Sequence, residues 1–270
     1  MTPAALPKRI GVYDSGVGGL SVTACVQSSI PDAQYFYLSD NLNFPYGTKS
    51  DEAVTLFTVK NCCKFIEIYE LDILVIACNT ASTVALDAVR AAVKIPVVGV
   101  VPAIKPAALQ SKTKSIGLLA TPATVKRQYT LKLIDDFANG CKVALRGSSV
   151  LVEVAEKKLR SATFSLAEIE SEVEPLLALD PKIDVIVLGC THFPLLKDDL
   201  SQLFPKIEWV DSGAAIAARV QSLVPSITPV LNRVRLDAGI AVFTAESAAA
   251  HSLHSALNRF GFRMIEFLKF

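Results

Sequence analysis

Two apolar runs in this chain end on a cysteine: "LDILVIACNT" at residues 71–80 and "IDVIVLGCTH" at residues 183–192. A thiol in that position has three chemical uses: nucleophile, metal ligand or acid/base. A helix that starts just after it favours the thiolate, because a helix N-terminus carries partial positive charge. Cys78 precedes "NTASTVALDAVR", and Cys190 precedes "THFPLL", where Pro194 suits a first helical position. A nucleophile needs one cysteine and a base. A matched pair is better explained by a proton moving across a carbon: one thiolate removes it from one face, and the opposite thiol returns one to the other.

The other four cysteines, Cys25, Cys62, Cys63 and Cys141, show no paired C-x-x-C spacing. A structural zinc site is therefore not expected, and no metal is assigned. In a chain of 270 residues without a secretory leader pattern, free thiols and a cytoplasmic location follow. Lys and Arg number 27 against 26 Asp and Glu, so there is no basic field for nucleic acid. The most apolar stretches are broken by Asn, Thr, Ser or Pro before they reach membrane-spanning length. At 51% hydrophobic residues the chain can bury a large core.

The elements that must carry the thiols alternate. "RIGVYDSGVGGLSV" is a strand, a Gly-rich turn and a helix start, and "KSIGLLATPATV" repeats that order. "DILVIA" and "IDVIVLGC" are fully apolar strands of the type buried in parallel sheets. From Ile10 to Cys78 is 68 residues, and from Ile116 to Cys190 is 74. The chain thus predicts an α/β fold of two pseudo-symmetric, doubly wound domains with mainly parallel sheets. The first lobe is expected at 1–100 with 210–270 and the second at 101–209. Residues 100–108, "VVPAIKPAA", read as one crossing between them. Ligands of open α/β sheets bind beyond the carboxyl ends of the strands, so the active site is expected in the cleft between the lobes.

Further expectations are local. Ser50 caps a helix with Asp51 and Glu52 in its first turn. On that helix Leu56, Val59, Cys63 and Ile66 share one face, which predicts that Cys63 lies in the core. "GIAVFTAE" reads as the last clear strand, and His251 and His254 are expected on a surface helix. Asp211–Gly213 reads as a turn and helix cap.

The phrases "YDSGVGGLSV", "FPYG", "ACNTAS" and "GCTHFPLL" together resemble the glutamate racemases, over a span from about Ile10 to "WVDSG" near 213. The resemblance implies cofactor-independent interconversion of L- and D-glutamate, which supplies D-glutamate for peptidoglycan, by a homodimer. It implies that Cys78 takes the proton from D-glutamate and Cys190 the one from L-glutamate. Asp14 would support Cys78, and His192 would support Cys190. A supporting glutamate falls at Glu156, with Glu153 as its near neighbour. Ser15, Asn79, Thr80, Thr121, Thr124 and Thr191 would hold the carboxylates and ammonium, and Pro45, Tyr46 and Gly47 would form a pocket wall. The chemistry suits such a set. A carbanion developing at Cα needs preorganised donors around its carboxylate, and neutral hydroxyls and helix N-termini supply them without burying cations. From the residues alone an aspartate racemase, a cysteine amidohydrolase and a non-catalytic amino-acid-binding protein stay open.

Overall fold

The structure is a computed structural model that describes residues 7–226 and 238–268. One compact unit lies within Met1–Val100 and Gly213–Phe270, the other within Val101–Ser212.

The first unit begins β1 (Arg9–Asp14), α1 (Leu20–Ser29), β2 (Gln34–Ser39), α2 (Asp51–Tyr69), β3 (Ile73–Ile76), α3 (Asn79–Ala92) and β4 (Val97–Gly99). The second unit contains α4 (Ile104–Gln110), β5 (Ser115–Ala120), α5 (Pro122–Lys126), α6 (Gln128–Phe137) and β6 (Lys142–Gly147). It continues with α7 (Val150–Leu159), α8 (Leu166–Leu179), β7 (Val185–Leu188), α9 (Lys197–Leu203) and β8 (Glu208–Val210). The chain then completes the first unit with α10 (Gly213–Leu223), β9 (Gly239–Phe243), α11 (Ala248–His251), α12 (His254–Arg259) and β10 (Phe262–Phe267).

The first sheet has the order β10-β9-β2-β1-β3-β4 and the second β6-β5-β7-β8. Neighbouring strands pair parallel in both. Counted within each repeat, four strands of each sheet stand in the order second, first, third, fourth. The internal repeat is therefore a repeat of topology, with β9 and β10 added at the outer edge of β2. Burial explains the uniformly apolar strands: every residue of β1, β3, β5 and β7 is buried. Leu74, Ile76, Phe36, Leu38, Val54 and Phe65 build the first core, and Ile116, Leu118, Val185, Val187, Ile104 and Ala107 the second.

Ser50 caps α2 as its sequence predicts, accepting from the Ala53 amide. The buried face of α2 differs from the expected one. Val54, Thr58, Asn61, Cys62, Phe65 and Tyr69 point inward, whereas Leu56 is 65% exposed and Cys63 half-buried. The helix is apolar around much of its circumference, so apolar spacing does not select the face. Buried polar partners help decide it: Asn61 donates to the Tyr13 hydroxyl inside the core. One further strand follows the last clear one. It is β10, whose burial is mostly partial and whose sequence mixes Arg263 and Glu266 with apolar residues, as an edge strand permits. His251 and His254 are exposed, on two short helices rather than one. Asp211 and Ser212 form the turn before α10, and the Ser212 hydroxyl donates to the Val101 carbonyl.

Candidate active site

In the first unit the site is assembled where the strand order reverses, between β1 and its two neighbours. Asp14 ends β1, and its carboxylate accepts from the amides of Ser15 at 2.7 Å and Gly19 at 2.6 Å. The carboxylate thus closes the Gly-rich turn "DSGVGG". A side chain at Gly19 would meet Ala77, Tyr37 and Asp14 at 3.0–3.1 Å, so a larger residue fits only where these neighbours give by a few tenths of an ångström. The Ser15 hydroxyl lies 3.5 Å from an Asp14 oxygen and 3.6 Å from the Cys78 sulfur. Ser15, expected only to bind substrate, therefore also links Asp14 to the thiol.

Cys78 occupies the N-cap of α3 with extended backbone, directly before a 14-residue helix. Its sulfur stands at the positive end of that helix. Asn79 and Thr80 follow and are buried. The Asn79 Oδ1 is buried without a hydrogen-bond partner, an acceptor whose bonding capacity is unused.

The expected pocket wall is only partly of that kind. Pro45 is exposed and Gly47 half-buried, but the Tyr46 side chain is 1% exposed and turned into the core. Its hydroxyl bonds to the Tyr13 hydroxyl and donates to Asp40 at 2.5 Å. Asp40 also accepts from Thr244 at 2.8 Å and from Asn43 at 3.1 Å. A buried phenol needs such a partner, and the carboxylate at the end of β2 supplies it. Burial first, then Tyr13 and Asp40 beside it, push the Tyr46 hydroxyl far above its ordinary pKa. Tyr46 thus acts as a core residue that holds the 45–47 segment, and its side chain is not a wall.

In the second unit the thiol stands at the matching register. The Ala77 amide donates to the Tyr13 carbonyl at 2.7 Å, and the Gly189 amide donates to the Leu119 carbonyl at 2.7 Å. Cys190 therefore corresponds to Cys78, Thr121 to Ser15 and Ala120 to Asp14. A Cβ at Gly189 would lie 2.8 Å from Leu118 and 2.9 Å from Ala120, so a side chain there would force its neighbours to shift.

Local structure after the second thiol differs from the expectation of a helix start. Cys190 is followed by a turn and a short 3-10 helix, Phe193–Leu196, with Pro194 in its first turn. In place of a long helix the second thiol has ionisable neighbours. His192 Nδ1 lies 3.8 Å from the Cys190 sulfur, and His192 Nε2 bonds Glu156 Oε1 at 2.9 Å. Burial alone would lower the His192 pKa, but hydrogen bonds to Cys190 and Glu156 and their charges hold it well above its ordinary value. Glu156 is buried and comes from α7, whereas Glu153 is exposed on the same helix. Arg160, one turn beyond, ion-pairs with Glu156. Sequence reasoning missed Arg160, although the Glu156–Arg160 spacing of i,i+4 signals it. Lys158 ties α7 to the turn, donating to the Leu195 carbonyl at 3.1 Å and pairing with Asp199.

Thr121 caps α5, accepting from the Thr124 amide, and the two threonine hydroxyls bond each other at 2.8 Å. Thr121 is half-buried and Thr124 fully buried, so only Thr121 presents its side chain outward. Thr191 is buried beside Cys190. Each unit thus offers one largely buried thiol, small hydroxyls around it, and an acid behind it. Chemically, each can hold and move one proton at sulfur.

Comparison with known proteins agrees with this arrangement. The pattern of the Asp/Glu/Hydantoin racemase family matches residues 20–220. The chain is 47% identical over 266 residues to a glutamate racemase of Salmonella typhimurium, covering 98% of this chain and 93% of the relative. Among solved structures it resembles the Escherichia coli glutamate racemase in complex with L-glutamate and activator UDP-MurNAc-ala. That match has a TM-score of 0.92 and 45% identity and covers 97% of this chain and 98% of that one. A glutamate racemase isoform from Bacillus anthracis matches with a TM-score of 0.80 and 28% identity, covering 97% of each chain.

Proposed function

This chain belongs to the Asp/Glu/Hydantoin racemase family, and we propose from that membership and from its two thiol sites that it interconverts L- and D-glutamate by two-base proton transfer. The observation that carries the reading is the register match: one cysteine after the third strand of each repeat, beside the turn that follows the first.

In the L-to-D direction Cys190, as thiolate, takes the Cα proton of L-glutamate. His192 holds charge beside that sulfur, and Glu156 fixes the imidazole. Cys78 then delivers its proton to the opposite face and is left as thiolate. Asp14 acts on Cys78 through Ser15, and in the D-to-L direction the roles reverse. Racemisation at one carbon requires both thiols to reach it from opposite faces. Asn79 Oδ1 receives the ammonium, while Ser15, Thr80, Thr121 and Thr191 donate to the carboxylates, with Thr124 orienting Thr121. The backbone of Pro45, Tyr46 and Gly47 contributes the wall. No cofactor enters, because the thiols replace an electron sink. The two units serve as the two domains of this mechanism, each contributing one acid/base.

The D-glutamate formed supplies peptidoglycan synthesis. We place the enzyme in the cytoplasm as a homodimer. In support of the location, no helix among the described residues is long and apolar enough to cross a membrane, and none of the six cysteines is in a disulfide. Sedimentation of the purified chain checks the dimer. The function itself is tested by polarimetry. Dialysed protein without additives should bring either enantiomer of glutamate to an equal mixture. Activity restricted to aspartate, or dependent on an added cofactor, contradicts the reading.

A further inference from the structure

We propose that Arg160 is a positioning residue for the second thiol, holding Glu156 in place behind His192 so that proton transfer at Cys190 depends on a guanidinium outside the substrate's reach. This inference rests on the two-thiol reading above.

The geometry is a chain of four groups. Cys190 lies 3.8 Å from His192 Nδ1, His192 Nε2 lies 2.9 Å from Glu156 Oε1, and Arg160 Nη2 lies 2.5 Å from Glu156 Oε2. Oε1 thus hydrogen-bonds the imidazole, while Oε2 lies within ion-pair distance of the guanidinium. The Glu156 side chain is 7% exposed and that of Arg160 29%, so the chain runs from a buried thiol towards solvent. Arg160 is the C-cap residue of α7, where the negative helix end favours a cation. A buried carboxylate facing only an imidazole is driven towards its neutral form by desolvation, and an adjacent guanidinium opposes that.

The surrounding charges are otherwise occupied. Facing Glu156 are His192 and, behind it, Cys190 from the turn after β7, and Arg160 from its own helix. Lys157 of α7 pairs with Glu168 of α8, Lys158 with Asp199 of α9, and Glu172 of α8 with Arg146 of β6. Of these cations, Arg160 is the one that meets the carboxylate supporting His192.

The test separates the two thiols with a glutamate analogue carrying a leaving group at Cβ. A thiolate takes the Cα proton, the electron pair forms the Cα–Cβ double bond, and the leaving group departs with its own bonding pair. The enamine then hydrolyses to a keto acid and ammonia. Each enantiomer needs only the thiol on its own side. Arg160→Gln should slow elimination from the L-analogue about tenfold, the scale of one hydrogen bond to a charged group, and leave the D-analogue within about twofold. The acid limb of the L-profile should move to higher pH, because Glu156 takes up a proton more readily without the guanidinium. Arg160→Lys should restore much of the rate, and Lys157→Gln on the same helix should change neither enantiomer. On a Glu156→Gln background, Arg160→Gln should cost nothing further for the L-analogue. Losses that add on that background, or equal slowing of both enantiomers, would overturn the inference. So would an Arg160→Gln enzyme with unchanged L-rate and acid limb. A wild-type chain that neither racemises nor eliminates sinks the functional reading and this inference together. An active wild type with a silent Arg160→Gln sinks only the inference.

Discussion

In the first unit the residue that ends the first strand is Asp14, and at the same register of the second unit stands Ala120. Both cysteines occupy equivalent points of the same strand order, but the acids behind them come from different places. Cys78 stands at the N-cap of a 14-residue helix, and the Ser15 hydroxyl lies between its sulfur and Asp14. Cys190 precedes only a 3-10 turn, and beside it lies the buried His192–Glu156 couple. The repeat therefore preserves where the thiol stands and lets its electrostatic environment change. A long helix gives one thiol a fixed partial charge, and an imidazole gives the other a full charge that titrates.

The largest test of this comparison removes each thiol in turn. Cys78→Ser and Cys190→Ser should each reduce racemisation by at least about 10³-fold, since a serine hydroxyl is a far poorer base at neutral pH. On the β-substituted analogue Cys190→Ser should keep the D-form and Cys78→Ser the L-form. Either mutant that processes both enantiomers equally would erase the distinction between the units. His192→Asn and Asp14→Asn come next. His192→Asn should lower kcat for L-to-D more than for D-to-L, by roughly 10- to 100-fold, and Asp14→Asn should show the opposite bias. The overall equilibrium ties the directions together, so KM must compensate. Equal kcat losses in both directions for both variants would contradict the assignment.

Glu156→Gln should cost roughly tenfold in the L-to-D kcat, whereas exposed Glu153→Gln should be silent. A reversed order would move the supporting carboxylate to Glu153. The smallest effect is on stability. His192 has a raised pKa in the folded chain, so its ion pair stabilises fully below the unfolded histidine value of about 6.5 and is lost as pH rises through the folded value. The melting deficit of His192→Asn relative to wild type should therefore be a few degrees near pH 6 and shrink towards pH 9. The deficit of Asp14→Asn, whose carboxylate accepts from the Ser15 and Gly19 amides, should stay level over the same range. Parallel behaviour of the two variants in calorimetry would remove the proposed difference in electrostatics.

Strand placement was legible because buried parallel strands leave nothing but apolar residues, as in "ILVI" and "VIVL". The thiols were legible because each interrupts such a run with small polar residues. The face of α2 was not, since a helix apolar on several sides is oriented by its polar partners, here Asn61 against Tyr13. The inward turn of the Tyr46 side chain was not legible for a similar reason. Its motif neighbours suggest a wall, but Asp40, which draws the phenol inward, is six residues away, just past the end of β2. Glu156 and Glu153 have the same residue type and one helix; only packing against His192 separates them. β10 escaped notice because an edge strand with charged residues carries little apolar signal.

The central claim, two thiols each holding one exchangeable proton, is tested most directly by racemisation in deuterated water. Cys78 and Cys190 exchange their protons with solvent before substrate binds, so each delivers deuterium to the face it serves. Product formed from either enantiomer should carry deuterium at Cα from the first turnover, while substrate recovered early should carry almost none. Product that retains part of the original proton, or substrate that labels as fast as product forms, would mean that one base serves both faces.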